Sequence, residues 1–500
     1  YTRFSEKVAE LETYYAYNPT LAESTITTEM LALGATKING QWTYGGLPIT
    51  ITVLIRNDSD LKRIPMGDYI ADQLESIGFA TYRRYLRSSE ASPLWVMGNP
   101  SDGLWHIYTG AWSATMIDND EGDNYQFFYS PDSAYGFSLL WQAYTITQEF
   151  RDICNNLAYH QYDTYEEYYQ GYERAMELAL EDSSRIWLID GRNYEPRRAT
   201  TTAAYDLAAG GYTPLWAHTL SFLESEGGTM KVALPDLFVD PWNPIAGSNW
   251  AFDNNPKLAI GESGTITHPS TGLPQPHRIE SAEVIAQSDL LMRNNSDWLT
   301  LSFADEIQVP ADAWVDWNAT SQQFITRSEA FPAGRTAKIK SVVTYPADLF
   351  DTVTWHDGSP LELADFVMNM IITFDWGKPE SPIFDQAYAP NLEYFMTTFR
   401  GVKIVSTDPL VIESYYESWS MDAEFNVATW WPEAYYGPTP WHTTALASLA
   451  EANLLLAFSA DKAYLVGVPW TNYLSGSSIS ILSDILSGIL PSNYIPYSPT

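Results

Sequence analysis

The chain has 500 residues, of which 45% are hydrophobic, and its 62 acidic and 27 basic side chains give a formal net charge of −35. Such a charge repels phosphate backbones and anionic lipid surfaces, and therefore argues against nucleic acid as a partner. Every apolar run is far shorter than the roughly 20 residues that a membrane-spanning helix needs, so no transmembrane segment is expected.

The length predicts two or three domains or lobes, because a single hydrophobic core seldom serves more than about 300 residues. Cys154 is the only cysteine, and the helical pattern around it predicts a buried structural thiol and no intrachain disulfide. The chain opens at Tyr1 without an initiator methionine, a signal peptide or a lipid-attachment cysteine. We therefore expect that a leader was removed or that the chain is part of a longer polypeptide.

The first 80 residues follow an α/β pattern. Asn18-Pro19 is a helix-start signal, and the apolar positions after it end at Gly34. An alternating strand is predicted from Leu47 to Ile55, and the next helix ends at Gly78. This order predicts a strand-helix unit of the α/β class.

Strands and helices continue to alternate through the first half of the chain. Trp105 to Tyr108 reads as a strand, residues 163–182 as a helix, and RIWLID at 185–190 as a short buried strand. The alternation predicts mixed sheets flanked by helices.

A change of pattern at Gly227-Gly228 places a domain boundary near residue 226, between regions 1–225 and 226–500. Irregular, Pro- and Asn-rich sequence occupies residues 240–297. The elements predicted in the second region are strands at MKVALP (230–235), 298–303 and 401–416, and helices at 360–375 and 443–458.

The stretch VTWHDGSPLELADF at 353–366 combines a turn signal with a helix start. Asp357-Gly358 suits a turn, and Ser359 followed by Pro360 and Glu362 suits a capping box. The alternative is a catalytic pair of His356 and Asp357, which we disfavour because adjacent residues seldom face each other to relay a proton.

A strand followed by W-H-D-G, S-P and A-D resembles the signature of the extracellular solute-binding proteins of ABC transporters, in the peptide-binding family. The segments DPWNPIAGSNW and FRGVKIVSTDPLVIESYY are similar to other parts of that family, as are residues 18–79 and RIWLIDGRNYEPRR. The resemblance implies a two-lobed α/β architecture that closes on its ligand by hinge motion.

The order of these segments is the reverse of the family's order, since second-lobe-like sequence precedes first-lobe-like sequence. We therefore expect a fragment of an enlarged or tandem member. Its place would be extracellular or periplasmic, tethered to the envelope by a part outside these residues.

Ligand-binding residues are predicted first from the resemblance. The family's Gly-Trp-type segment matches Gly110-Ala111-Trp112, so Trp112 is expected to line the cleft. Thr115 stands where the family holds an acid for the peptide's amino group, which leaves Asp118 or Asp120 as substitutes.

Composition suggests a second set of ring contacts. The segment TWWPEAYYGPTPWH at 429–442 places Trp430, Trp431 and Tyr435 in a loop-like setting, where core packing does not need them. Rings in a cleft can stack on sugars or on peptide side chains.

Metal and cofactor chemistry has little support in the sequence. The acidic run at 118–123 lacks the distal glutamate of a calcium loop, and the seven histidines show no zinc spacing. No nucleophile elbow, phosphate loop or dinucleotide fingerprint occurs.

We predict a non-enzymatic solute-binding protein without a cofactor, which binds a peptide or oligosaccharide and delivers it to an ABC transporter permease. The alternatives are a secreted carbohydrate-active enzyme with paired carboxylates and an acidic cell-surface structural component.

Overall fold

The computed structural model describes every residue except 1–3, 59–61, 97, 113–119, 133–143, 190, 192–193, 195, 207–214, 235–239, 249–250, 428–438 and 493–500. Its first half alternates helices with short strands. The helices are α1 (Ser5–Tyr14), α2 (Pro19–Ala32), α3 (Arg63–Ser76), α4 (Ser88–Trp95), α5 (Asp123–Tyr129), α6 (Gln148–Ala158), α7 (Tyr165–Asp182) and α8 (Leu215–Thr219). The strands are β1 (Thr36–Ile38), β2 (Gln41–Tyr44), β3 (Leu47–Pro48), β4 (Thr50–Arg56), β5 (Ala80–Leu86), β6 (Ile107–Tyr108), β7 (Thr201–Thr202) and β8 (Ser221–Phe222).

The second half is built around a larger sheet. Its helices are α9 (Ala251–Ile260), α10 (Arg327–Ala330), α11 (Leu349–Thr352), α12 (Leu363–Asp375), α13 (Ala389–Thr398), α14 (Trp441–Ala452), α15 (Ala460–Val466) and α16 (Ser478–Ile489). Its strands are β9 (Thr265–Thr267), β10 (Pro274–Pro276), β11 (Ser281–Gln287), β12 (Leu299–Ala304), β13 (Ile307–Gln308), β14 (Trp314–Asn318), β15 (Gln323–Thr326), β16 (Thr336–Ala337), β17 (Ile339–Thr344), β18 (Phe399–Thr407) and β19 (Leu410–Tyr416).

Strand β4 is the centre of a parallel sheet with the order β5-β4-β6. Val53, Leu54 and Ile55 are fully buried, as expected for a parallel strand that is covered on both faces. Helix α3 packs closely on this strand, because a Cβ atom at Gly67 would lie 2.6 Å from the Ile55 side chain. The predicted strand-helix unit is confirmed.

The second half is centred on a seven-stranded mixed sheet, whose strand order is β12-β11-β17-β19-β18-β14-β15. Strands β11 and β12 are parallel, and the other pairs are antiparallel. Phe366 and Phe374 of α12 belong to the same core cluster as Ile339 and Ile412 of the sheet. The α/β class, with mixed sheets flanked by helices, is therefore confirmed, and the two sheets with separate buried clusters fit a two-lobed architecture.

Contacts join the two halves of the chain. Phe150 and Leu157 of α6 lie in the core cluster of the large sheet. Arg293 makes an ion pair with the buried carboxylate of Asp422, and its guanidinium lies 5.4 Å from the centre of the Tyr165 ring. The boundary near residue 226 stays a prediction.

Two predicted strands are wrong. Residues 185–189 form no strand, and Ile186 and Ile189 are each 72% exposed. Residues 230–234 also lack strand structure. A strand needs a partner for its backbone hydrogen bonds, and the described residues of these apolar runs have no ladder partner.

Helix α2 begins as predicted. The side chain of Asn18 accepts a hydrogen bond from the Leu21 amide at 3.0 Å, which caps the helix. Of the apolar positions after it, Leu21 and Leu33 are 59% and 70% exposed, and Ile26 and Met30 are half-buried.

The W-H-D-G stretch is a structural corner. Asp357 accepts hydrogen bonds from the amide and hydroxyl of Ser359 at 2.9 and 2.6 Å, and Gly358 has a φ of 85°. The predicted capping box at Ser359 is wrong, because the helix cap lies about one turn further along the chain. Helix α12 begins at Leu363, where Glu362 and Asp365 cap each other, because Pro360 pairs with Thr354 in a β-bridge.

Asp365 ties this corner to a later helix. Its buried carboxylate accepts hydrogen bonds from the Trp355 indole at 3.1 Å, the Glu362 amide at 2.8 Å and the Trp441 amide at 2.7 Å. Burial raises the pKa of Asp365 above its ordinary value.

The D-P-W-N-P motif has an equally local role. The Asn243 amide nitrogen donates to the carbonyls of Phe458 at 2.8 Å and Thr471 at 3.2 Å. Its oxygen accepts from the amides of Ile245 and Ala246. Asn243 is fully buried and thereby fixes this segment to the C-terminal part of the chain.

Cys154 is buried in α6, as predicted, and burial raises the pKa of its thiol to about 12. Among the described residues, no helix combines the length and apolar character needed to cross a membrane.

Asp365→Ala should destabilise the protein by about 2–4 kcal/mol, because three N–H donors from separate segments lose their acceptor. Urea unfolding monitored by tryptophan fluorescence measures this loss. The control is His356→Ala, which removes an exposed side chain and should change stability by less than about 0.5 kcal/mol. Equal effects of the two substitutions would contradict the role given to Asp365.

A buried ion pair supports the C-terminal helices. Lys462 donates to Glu451 at 2.6 Å, and the other oxygen of Glu451 accepts from the Phe458 amide at 2.7 Å. Burial raises the pKa of Glu451 to about 7, although Lys462 opposes this shift. This pKa lies above the ordinary value of 4.5, so the folded protein holds the proton more tightly than the unfolded chain. The stability linked to Glu451 is therefore fully present below pH 4.5 and is lost as the pH rises through about 7.

Lys462→Met should steepen this pH dependence, because an unpaired buried carboxylate is costlier than a paired one. We expect the loss of melting temperature relative to the wild type to be larger at about pH 8 than at about pH 5. Lys403→Met, which breaks the exposed pair with Asp312, should cause a small loss that is similar at both pH values. A pH-independent loss in Lys462→Met would rule out the titration of Glu451.

Candidate functional site

The candidate site lies at the carboxyl edge of the small parallel sheet. Strands β4, β5 and β6 end there at Arg56, Leu86 and Tyr108. Strand β4 is central, and the two strands that follow it in the chain lie on opposite sides of it. Open α/β sheets bind ligands outside the carboxyl ends of their strands at such a reversal of strand order.

A charged network occupies this edge. The guanidinium of Arg56 contacts the carboxylate of Asp58 and donates to the Tyr108 hydroxyl at 3.0 Å. Asp58 also accepts from the Ser88 amide at 3.0 Å, and the Thr109 hydroxyl accepts from the Arg56 amide at 3.0 Å. Burial disfavours the charge on Arg56, yet Tyr108 and Asp58 together raise the pKa of its guanidinium above the ordinary value.

The carboxyl group of Asp240, from the second half of the chain, lies within electrostatic range of this network. Burial, followed by the negative charges of Asp58 and Asp253, raises the pKa of Asp240, while Arg56 and Arg87 oppose the shift.

A group of aromatic rings follows β6 along the chain, with Trp112 and Trp187 exposed and Phe127 and Phe128 half-buried. Trp112 follows the end of β6 and is 57% exposed, and its ring centre lies 5.1 Å from that of Phe127 and 5.0 Å from that of Phe128. Phe128 in turn contacts Trp187 edge to face at 5.3 Å, and Trp187 is 58% exposed. We call these four residues the ring cluster.

The sequence did not reveal the role of Trp187, because the run around it suggested a buried strand. The Trp187 indole donates to the Tyr129 hydroxyl at 3.1 Å, which holds one edge of the ring while the rest stays open. No local signal distinguishes this tryptophan from a core residue.

Asp120 lies inside the protein. Its carboxylate contacts the His160 ring nitrogen at 2.7 Å, the Tyr168 hydroxyl at 3.1 Å and the Met421 amide at 3.2 Å. This geometry joins α6 and α7 to the second half of the chain. Whether Asp120 also meets a ligand stays a prediction.

The other predicted ligand residues, Asp118, Trp430, Trp431 and Tyr435, lie outside the described residues. His356 does not face Asp357, since its Nε2 atom lies 3.0 Å from the Ile260 carbonyl oxygen. Within the described part of the chain, no group of three or more His, Cys, Asp or Glu side chains is arranged to hold a metal ion.

Comparisons with known proteins find a distant likeness among solved structures. No family model matches the chain, and no curated protein matches it. Among solved structures, the chain is similar to NikZ from Campylobacter jejuni in complex with Ni(L-His), with 13% sequence identity and a TM-score of 0.27. The match covers 34% of this chain and 31% of that chain, so neither a family nor a ligand follows from it.

Arg56→Met should destabilise the protein by about 3–5 kcal/mol, because it leaves the carboxylate of Asp58 buried without its ion-pair partner. Arg83→Met is a matched control on the neighbouring strand. It breaks ion pairs with Asp68, Asp72 and Glu75, but these lie near the surface, so the loss should be much smaller. Chemical unfolding of both variants tests the difference, and equal losses would contradict the buried character of the Arg56 network.

Proposed function

We propose that the chain, or the longer protein to which it belongs, is an extracytoplasmic solute-binding protein of an ABC importer. The observation that supports this proposal is the ring cluster, whose Trp112 follows the end of β6 at the carboxyl edge of the parallel sheet, where Arg56 and Asp58 form a charged network. Its ligand would be a peptide or an oligosaccharide, and its partner a transporter permease.

The chemistry of the site suits reversible capture. Aromatic faces can cover sugar rings or apolar peptide side chains, and they release water from both surfaces. The network of Arg56 and Asp58 and the carboxyl group of Asp240 can orient polar groups of the ligand. Binding and release need no bond to be made or broken in this mechanism.

Closure would couple capture to transport. A ligand that contacted groups from both halves would favour a closed arrangement. The permease would then recognise the surface formed on closure. Asp118, Trp430, Trp431 and Tyr435 are proposed as further contacts of the same ligand.

Location outside the cytoplasmic membrane agrees with the composition. A net charge of −35 and a single buried cysteine suit a protein that must stay dispersed and inert toward oxidants. The tether to the envelope is proposed to lie outside these residues.

One set of measurements separates this function from its alternatives. Melting curves with defined peptides and oligosaccharides should show stabilisation by at least one of them, and mass spectrometry should recover that ligand unchanged. A converted ligand would indicate a carbohydrate-active enzyme. Assembly into large particles, with no change of melting temperature on addition of any solute, would indicate a structural component.

Trp112→Ala should weaken binding of the stabilising ligand by about five- to thirtyfold, because one stacked ring contributes roughly 1–2 kcal/mol. The melting temperature without ligand should change little, since the side chain is 57% exposed. The control is Tyr82→Ala, an exposed ring on β5 that is 58% exposed and should leave affinity unchanged. Titration calorimetry measures both, and unchanged affinity in Trp112→Ala would remove the ring cluster from the binding site.

A further inference from the structure

A small cleft with a volume of about 150 Å³ lies in the second half of the chain. Its wall includes Trp376 and Tyr388, which lie between α12 and α13, and Asp385, Asp461 and Trp470. None of these residues belongs to the ring cluster or to the Arg56 network. The cleft therefore does not depend on the function proposed above.

One side of the cleft is acidic. Asp385 is 2% exposed, and its carboxylate accepts from the Ala387 amide at 2.9 Å and from the Ser459 hydroxyl. Asp461 stands close enough that burial and the charge of Asp385 together raise its pKa. The neighbouring cation Lys462 is paired with Glu451, so it does not neutralise this wall.

The lining of the cleft also contains aromatic rings. The rings of Trp376 and Tyr388 stack with their centres 4.1 Å apart and their planes 19° apart. Trp470 is a third ring in the lining, fixed by a hydrogen bond from its indole to the Phe458 carbonyl at 3.0 Å.

Trp376 provides an independent sign of a ligand. It is 7% exposed and lines the cleft, and its indole N–H has no hydrogen-bond partner among the described residues. Buried donors are nearly always satisfied by protein, water or ligand. An oxygen atom of a bound molecule would satisfy this one.

We propose that this cleft binds a small organic cation of the quaternary ammonium class. Carboxylates and aromatic rings in one lining attract such a cation, the carboxylates through their negative charge and the rings through their faces. Both carboxylate oxygens of Asp385 already accept hydrogen bonds within the protein, so Asp385 contributes mainly its negative charge to the cleft. That balance favours a cation without N–H donors, and the volume limits it to a small one.

Choline is the probe for this proposal. Calorimetric titration of the intact chain should show saturable choline binding that weakens with added salt. The neutral carbon isostere, in which a tert-butyl group replaces the trimethylammonium group, should bind at least about tenfold more weakly, since it keeps the shape and loses the charge.

Asp461→Asn should weaken choline binding by at least about tenfold, whereas Asp484→Asn on the exposed face of α16 should leave it unchanged. Circular dichroism and melting curves of both variants confirm that each is folded. Absence of choline binding, equal binding of the neutral isostere, or equal affinities of the two variants would each overturn the proposal. Loss of peptide or oligosaccharide binding in Trp112→Ala concerns the other site and leaves this result unaffected.

Discussion

The carboxylate of Asp365 is the contact on which the arrangement of the second half depends. It is a buried acceptor that takes N–H groups from the W-H-D-G corner, from the start of α12 and from the start of α14. A donor would lose its partner if its segment moved away from Asp365, and an unpaired N–H group away from water is costly. This shared acceptor fixes the angle at which α12 leaves the corner and covers the large sheet, and it also sets where the C-terminal helices begin.

The candidate site follows from a different constraint, the parallel pairing of β4 with both of its neighbours. Three strands that run in one direction end at one edge, and polar side chains that the sheet interior does not accept collect there. Arg56 and Asp58 compensate each other at that edge, and Trp112 follows within a few residues of the end of β6. The charged network and the first ring of the ring cluster thus lie close together along the chain at the end of this sheet.

Local patterns in the sequence predicted much of this fold. Short-range signals predicted three features that are present: the apolar strand β4, the end of helix α3 before Gly78, and the paired strands on either side of Pro409. Exposure was harder to predict, because the surroundings of Ile186 and Trp187 depend on which strands pair elsewhere. The partner of Asp120 was also beyond local reasoning, since His160 lies 40 residues away and Met421 lies 301 residues away.

The state of Cys154 has a practical consequence for following motion in solution. Its thiol, on α6, is buried, and its raised pKa keeps it protonated at neutral pH. Maleimide reagents react with the thiolate, so they should label Cys154 very slowly. Two cysteines introduced at the surface, one on each half, would then be the reactive positions. Pairs of dyes could report the distance between the halves by energy transfer, with the native cysteine left in place.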